Sequence, residues 1–185
     1  MKILMIAPEP FFTPRGTPFS VRGRIHALVA LGHSVDLVTY HAGEDVSLAG
    51  LRIFRTPQIP WLRNIPIGPS FTKIYLDVLL FGLAVMKLRS RQYDVIHTHE
   101  EAGLIGALFA RWAKAKHLYD MHSSLPQQFK NFASYNYAPI ITVFEMIERF
   151  VVRRADAVIA ICPELLERVA TIDKERPCFL IENTI

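Results

Sequence analysis

The chain has 185 residues, 51% of them apolar and 21% charged, with a formal net charge of +4. That length suits one domain with a full core, and the composition suits a globular protein and argues against disorder. Its 21 Lys and Arg residues are scattered rather than massed. This argues against a nucleic-acid partner and leaves a phosphate-bearing ligand or an anionic membrane surface.

Lys2–Ala7 is a short apolar run, read as the first strand; Pro8 breaks it too early for a signal peptide. Pro8, Pro10, Pro14 and Gly16 make an irregular loop. Thr17-Pro18 reads as an N-cap followed by proline at the first helical position. Val21, Ile25, Leu28 and Val29 then recur at helical spacing, and Gly32 stops the helix. Val35–Tyr40 and Leu51–Arg55 are the next strands, and prolines from 57 to 69 mark a loop around Trp61.

A helix is expected from about Ser70 to Arg89. Lys73 and Asp77 interrupt it and leave nine apolar residues in a row, Val78–Met86. A membrane span needs about 20, so the helix is buried or interfacial. Strand Asp94–Thr98, helix Glu101–Ala115 and strand Leu118–Met121 follow. Ser123–Ala138 shows no period and reads as a long loop. Pro139 opens a helix to about Arg154, followed by strand Ala157–Ile161, helix Pro163–Thr171 and strand Cys178–Ile181. The alternation predicts an α/β fold: a doubly wound, mostly parallel, Rossmann-like sheet with helices on both faces. Cys162 and Cys178 are the two cysteines, too few for a disulfide framework, so a reducing, cytoplasmic setting is expected.

In such a sheet ligands bind beyond the carboxyl ends of the strands. The loop before Gly16 lies there, and a helix N-terminus with a glycine lets a phosphate approach backbone N–H groups. Gly16 would equally serve a turn alone. No G-x-G-x-x-G or Walker A pattern is present, which disfavours a dinucleotide. Two strands run into histidines. His97 and His99 share a face; His97, inside its strand, reads as a buried, hydrogen-bonded residue. His99 lies at the strand tip beside Glu100 and Glu101, whose charges also suit a helix N-terminus. His122 ends the other strand, two residues from Asp120, and is the best candidate for a ligand-facing imidazole. His97, His99, Glu100 and His122 could supply zinc ligands, but no H-E-x-x-H spacing supports this.

Five segments, in order, resemble the N-terminal half of family 4 (group 1) retaining glycosyltransferases with two-domain GT-B architecture. They are Lys2–Ala7 with its Gly16 loop, Ala27–Thr39 with its Gly-His pair, Asp94–His99, Asp120-Met-His122, and Ala155–Ile161 with the helix after it. Two positions depart: Cys162 stands where the family usually has serine, and Glu182-Asn183-Thr184 where it usually reads Pro-Asn-Gly.

The resemblance implies transfer of a sugar from a nucleotide-sugar donor to an acceptor, with retained anomeric configuration, no metal and no cofactor. Residues 1–182 would be the acceptor-side domain and 183–185 the start of an interdomain linker, the donor-binding domain lying outside this sequence. Carried over, Gly16 and Thr17 would face the donor phosphate and sugar. His122 would act at the reacting centre, and His99, Glu100 and Asp120 would line the acceptor side. A glycan or lipid-linked acceptor, with peripheral attachment at the inner face of a membrane, is the expected setting. Two other classes remain open at this stage: a non-catalytic module that binds a membrane or partner through Phe11, Phe12, Trp61 and the apolar helix, and a metal-dependent hydrolase built on the histidines.

Overall fold

The structure, a computed structural model, describes residues 1–14, 16–58, 65, 71–124, 126–127 and 138–182. Its elements are β1 (Lys2–Ile6), α1 (Gly16–Ala30), β2 (Ser34–Thr39), β3 (Leu51–Arg55), α2 (Phe71–Ser90), β4 (Val95–His99), a 3₁₀ turn (Glu100–Ala102), α3 (Gly103–Phe109), β5 (Lys116–Met121), α4 (Ala138–Arg154), β6 (Ala157–Ala160), α5 (Pro163–Ile172) and β7 (Cys178–Leu180). The strands form one seven-stranded sheet in the order β3-β2-β1-β4-β5-β6-β7. All six pairings are parallel, which sharpens the expected "mostly parallel" to wholly parallel.

The chain leaves β1 toward β2 and β3, then returns to build β4 to β7 on the other side. The order reverses between β1 and β4, which makes a switch point there.

β1 is buried from Ile3 to Ile6 because helices cover both faces. Ile3, Met5, Val35 and Leu37 pack with Val21 and Ile25 of α1. Leu4, Ile6 and Val38 face Leu76, Leu80, Ala84 and Leu88 of α2, spaced by four residues on one stripe. Tyr119, Met121 and Val158 pack against α4 and α5. A Cβ built on Gly106 would lie 2.1 Å from Nε2 of His117, so that glycine is what lets α3 sit close on β5.

Several boundaries differ from expectation. α1 begins at Gly16, so Thr17 lies in its first turn rather than at its N-cap. Gly32 (φ +80) does stop that helix: Gly32 N–H bonds to Val29 O and His33 N–H to Leu28 O, the Schellman pattern. The helix expected over Glu101–Ala115 is instead a 3₁₀ turn, a short α3 and a run of turns. The run closes the same way, with Lys114 (φ +54) in the glycine-like position and Ala115 N–H on Ala110 O. Strand β4 runs one residue further than expected and takes in His99. Most of the expected loops around Trp61 and over Ser123–Ala138, and the expected linker from Asn183, lie outside the described residues.

Candidate active-site cleft

The carboxyl ends of β1 and β4 flank the switch point, and each delivers its own set of groups. From β1 comes the loop Ala7–Pro14. It is tied to the neighbouring loop by paired backbone bonds between Phe12 and Glu44, at 3.1 and 2.9 Å. The Arg55 guanidinium ties both, donating to the carbonyls of Phe11, Ala42 and Glu44. A Cβ on Gly43 would lie 2.2 Å from Phe11 O, so glycine is required for that approach.

This anchored loop leads to Gly16, exposed at the start of α1 with φ +42. A Cβ there would meet nothing within 4 Å. The glycine is therefore set by its backbone angle, and the space above it is open to a ligand. Thr17 sits beside it, and its hydroxyl donates across the switch point to Glu100 Oε1 at 3.5 Å.

Glu100 leaves the end of β4 with φ +48, an uncommon angle for a side chain of that size. Burial, then the neighbouring Glu101, raise its carboxyl to about 7, against Lys73 and the Thr17 hydroxyl. Lys73 pairs with Glu101 and lies 4.0 Å from Glu100. Asp77, one turn along α2, accepts from the Tyr40 hydroxyl, and burial and Glu101 raise it to about 7.

The second group grows from β4 and β5. Their register sets His99 beside Asp120, and strand alternation puts His97 on the same face. Asp120 is the hub. Its Oδ2 accepts from Arg24 Nε at 3.0 Å and faces His97 Nε2 at 3.4 Å and His99 Nδ1 at 3.8 Å. Its Oδ1 faces His122 Nε2 at 3.3 Å. His122 Nε2 also lies 3.0 Å from His99 Nδ1. The His97 and His99 rings stack at 4.7 Å.

Burial works against the Asp120 carboxylate, but the His97 hydrogen bond and the facing imidazoles outweigh it and hold its pKa well below the usual range. Burial also lowers the pKa of His99 and His122, against the pull of Asp120. The cluster is thus a carboxylate held ionised beside one guanidinium, with His99 and His122 pushed by burial toward their neutral forms. Such imidazoles can donate or accept a hydrogen bond but bring no full charge.

The structure brings Gly16, Thr17 and Glu100 together at the switch point, and Asp120, His99 and His122 together beside it. His99 and Asp120 are fully buried, and the side chain of His122 is 3% exposed. In this state, then, the imidazole expected to face the ligand is turned onto Asp120 and His99. Sequence reading missed Arg24 and Lys73. Arg24 carried a signal: it falls between Val21, Ile25 and Leu28, on the otherwise apolar face of its helix. His97, read as a buried histidine with a hydrogen bond, is that, but its partner is the hub of the site.

His97, His99 and Asp120 could also present three ligand atoms to a cation, all within 4.8 Å of one another. The fixed positive charge of Arg24 on the same carboxylate oxygen opposes that use.

An all-parallel, Rossmann-like α/β sheet carries, at its switch point, a glycine-led helix N-terminus beside a histidine–aspartate cluster. Residues 15–179 match the family described as Glycosyl transferase 4-like domain, and the chain belongs to that family. Among solved structures it is similar to sucrose-phosphate synthase from Thermosynechococcus elongatus, with a TM-score of 0.70 and 22% identity over 98% of this chain and 47% of that one. It is also similar to Arabidopsis thaliana UGT89C1 complexed with quercetin (TM-score 0.59, 15% identity, 97% of this chain and 49% of that one). A third is Phytolacca americana UGT2 complexed with UDP-2fluoro-glucose and pterostilbene (TM-score 0.54, 10% identity, 98% and 54%). These likenesses show the fold; the chain spans about half the length of each of the three. No curated protein matches it in sequence.

Proposed function

We propose that this domain forms the acceptor-side wall of a glycosyltransferase that moves a sugar from a nucleotide-sugar to an acceptor, with retention of anomeric configuration. The observation that carries this reading is the open, positive-φ Gly16 at the head of α1, bridged through Thr17 to Glu100 and followed on the same helix by Arg24 on the Asp120–His122 cluster. The helix N-terminus offers N–H groups to the donor diphosphate. His122, released from His99, hydrogen-bonds the transferred sugar near the reacting centre. Asp120 and His99 hold that imidazole in orientation. Glu100, partly protonated near neutral pH, meets the acceptor hydroxyl. Charge that develops on the leaving diphosphate is met by backbone dipoles here and by cations from a second domain, so no metal is needed. A glycan or lipid-linked acceptor, met at the cytoplasmic face of a membrane, completes the reading.

The test is sugar transfer from nucleotide-sugars by residues 1–185 alone and by the chain joined to a donor-binding domain, with the product anomer read by NMR. The expected result is no transfer by residues 1–185 and a retained anomer from the joined enzyme. Transfer by residues 1–185 unaided, or an inverted product, would overturn the reading.

A further inference from the structure

The outer side of α2 and α3 carries an apolar stripe that ends in a basic cavity. α2 turns Leu76, Leu80, Ala84 and Leu88 into the core, yet it also carries Ile74, Val78 and Met86 outward, each at least 60% exposed. A helix apolar on both sides is one that something further covers. α3 and the turn after it add exposed Leu104, Leu108 and Trp112. Between the helices lies a cavity of about 320 Å³, walled mainly by Ile74, Val78, Phe81 and Leu104 and bordered by Asp77 and Glu101. Phe81 meets Phe109 edge-on at 5.5 Å, and Phe109 meets Trp112 edge-on at 6.3 Å. Trp112 in turn lines a second cavity, of about 420 Å³, with Arg89, Arg91 and Lys114 and no acidic side chain.

The charge of the face divides along its length: Asp77 and Glu101 lie at the cleft end, where Glu101 pairs with Lys73, and the far end is basic. From Phe71 to Tyr93 the basic residues are Lys73, Lys87, Arg89 and Arg91, and the one acidic residue is Asp77. From Gly103 to Ala115 there are Arg111 and Lys114 and no acid. We propose that this face docks on an anionic membrane, the apolar stripe entering the acyl boundary and the Arg89–Arg91–Lys114 cavity taking lipid phosphate. An apolar strip with basic residues at its border is the chemistry of interfacial binding, and a tryptophan at that border suits the headgroup level. A second copy docked face to face would set the same cations against each other, which disfavours self-association. Among the described residues no helix is long and apolar enough to cross a membrane.

The direction of α2 gives the docking a consequence. Lys73, near its start, reaches Glu100 and Glu101, while Arg89 and Arg91 stand at its far end. The apolar cavity, lined by Pro8 and Glu101 among others, therefore lies at the cleft end. A membrane on this face would bring the tail of a lipid-linked acceptor into that cavity, with its head beside Glu100. This consequence rests on the glycosyl-transfer reading; the docking does not.

Co-sedimentation of the 185-residue chain with vesicles tests the docking without any activity assay. Binding is expected to vesicles of equal parts phosphatidylglycerol and phosphatidylcholine, not to phosphatidylcholine alone, and to weaken as salt rises. Arg89→Glu with Lys114→Glu should weaken it on the order of thirtyfold or more. Val78→Ser with Met86→Ser should weaken it too, with thermal unfolding showing that each variant still folds. No binding by the wild-type chain would overturn the proposal, as would equal binding by folded variants of both kinds. Self-association abolished by Val78→Ser, without vesicle binding, would assign the stripe to a second copy instead.

Discussion

Arg24 on α1 donates from Nε to Oδ2 of Asp120 on β5 at 3.0 Å, and its Nη2 reaches Ile181 O at 2.9 Å. One side chain thus ties the helix that begins at Gly16 to the strand that ends at His122. Asp120 is fully buried, so its charge depends on that guanidinium and on the imidazoles.

Replacing Arg24 by Met should cost about 1.5–3 kcal/mol, the range for a hydrogen bond to a charged buried group. It should also raise the pKa of the surrounding histidines, because the carboxylate would then draw a proton onto one of them. Urea unfolding measures the first and NMR titration of the imidazoles the second. A variant as stable as the wild type with unmoved imidazoles would show that the pair holds nothing in place.

Gly106→Ala should destabilise the fold by about 1–3 kcal/mol, because the new methyl group would meet the His117 ring. His117 is itself hydrogen-bonded to Thr98 at 2.8 Å and backed by the sheet. Thermal unfolding is the check; an unchanged midpoint would mean that α3 can lift off β5 at no cost.

The pH dependence of stability has two opposing parts. Burial lowers His117 to about 4 and lowers His99 and His122 as well. As pH falls below about 6.5, the unfolded chain takes up protons these sites refuse, and stability drops. Glu100 and Asp77, raised to about 7, do the reverse: the folded chain binds their protons first, so stability rises as pH falls from 7 toward the ordinary carboxyl range. Glu100→Gln removes one of these gains. Its stability should therefore fall more steeply than that of the wild type between pH 7 and pH 5 in urea unfolding. Parallel curves would mean that Glu100 titrates normally.

The account predicts transfer without metal. Activity of the joined enzyme should survive prolonged chelation, and protein purified without added metal should carry no stoichiometric zinc or manganese. Zinc bound in equal amount, and lost in a His97→Ala variant, would instead assign His97, His99 and Asp120 to a metal.

The fold was legible because its signals are local: apolar runs at Lys2–Ala7 and Val35–Tyr40, a period of four in α2, and Gly32 as a helix stop. The site was legible only as far as one strand or loop reaches. His99, Asp120 and His122 could be placed at strand ends, but not in contact, since the contact depends on the β4–β5 register. Arg24 and Lys73 were missed as site residues because their partners lie 96 and about 28 positions away in the chain, across the sheet and from helix to strand end. The boundaries around Thr17 and Glu100 moved because two residues with positive φ, Gly16 and Glu100, redirect the chain there.

The central claim is that His122 acts on the transferred sugar while Asp120 and His99 hold it. Turnover of His122→Ala in the joined, two-domain enzyme, assayed with its true donor beside a thermal unfolding curve, tests this most directly. The account predicts a fall in kcat on the order of a hundredfold or more with the unfolding midpoint little changed. Wild-type turnover in a folded His122→Ala enzyme would contradict it.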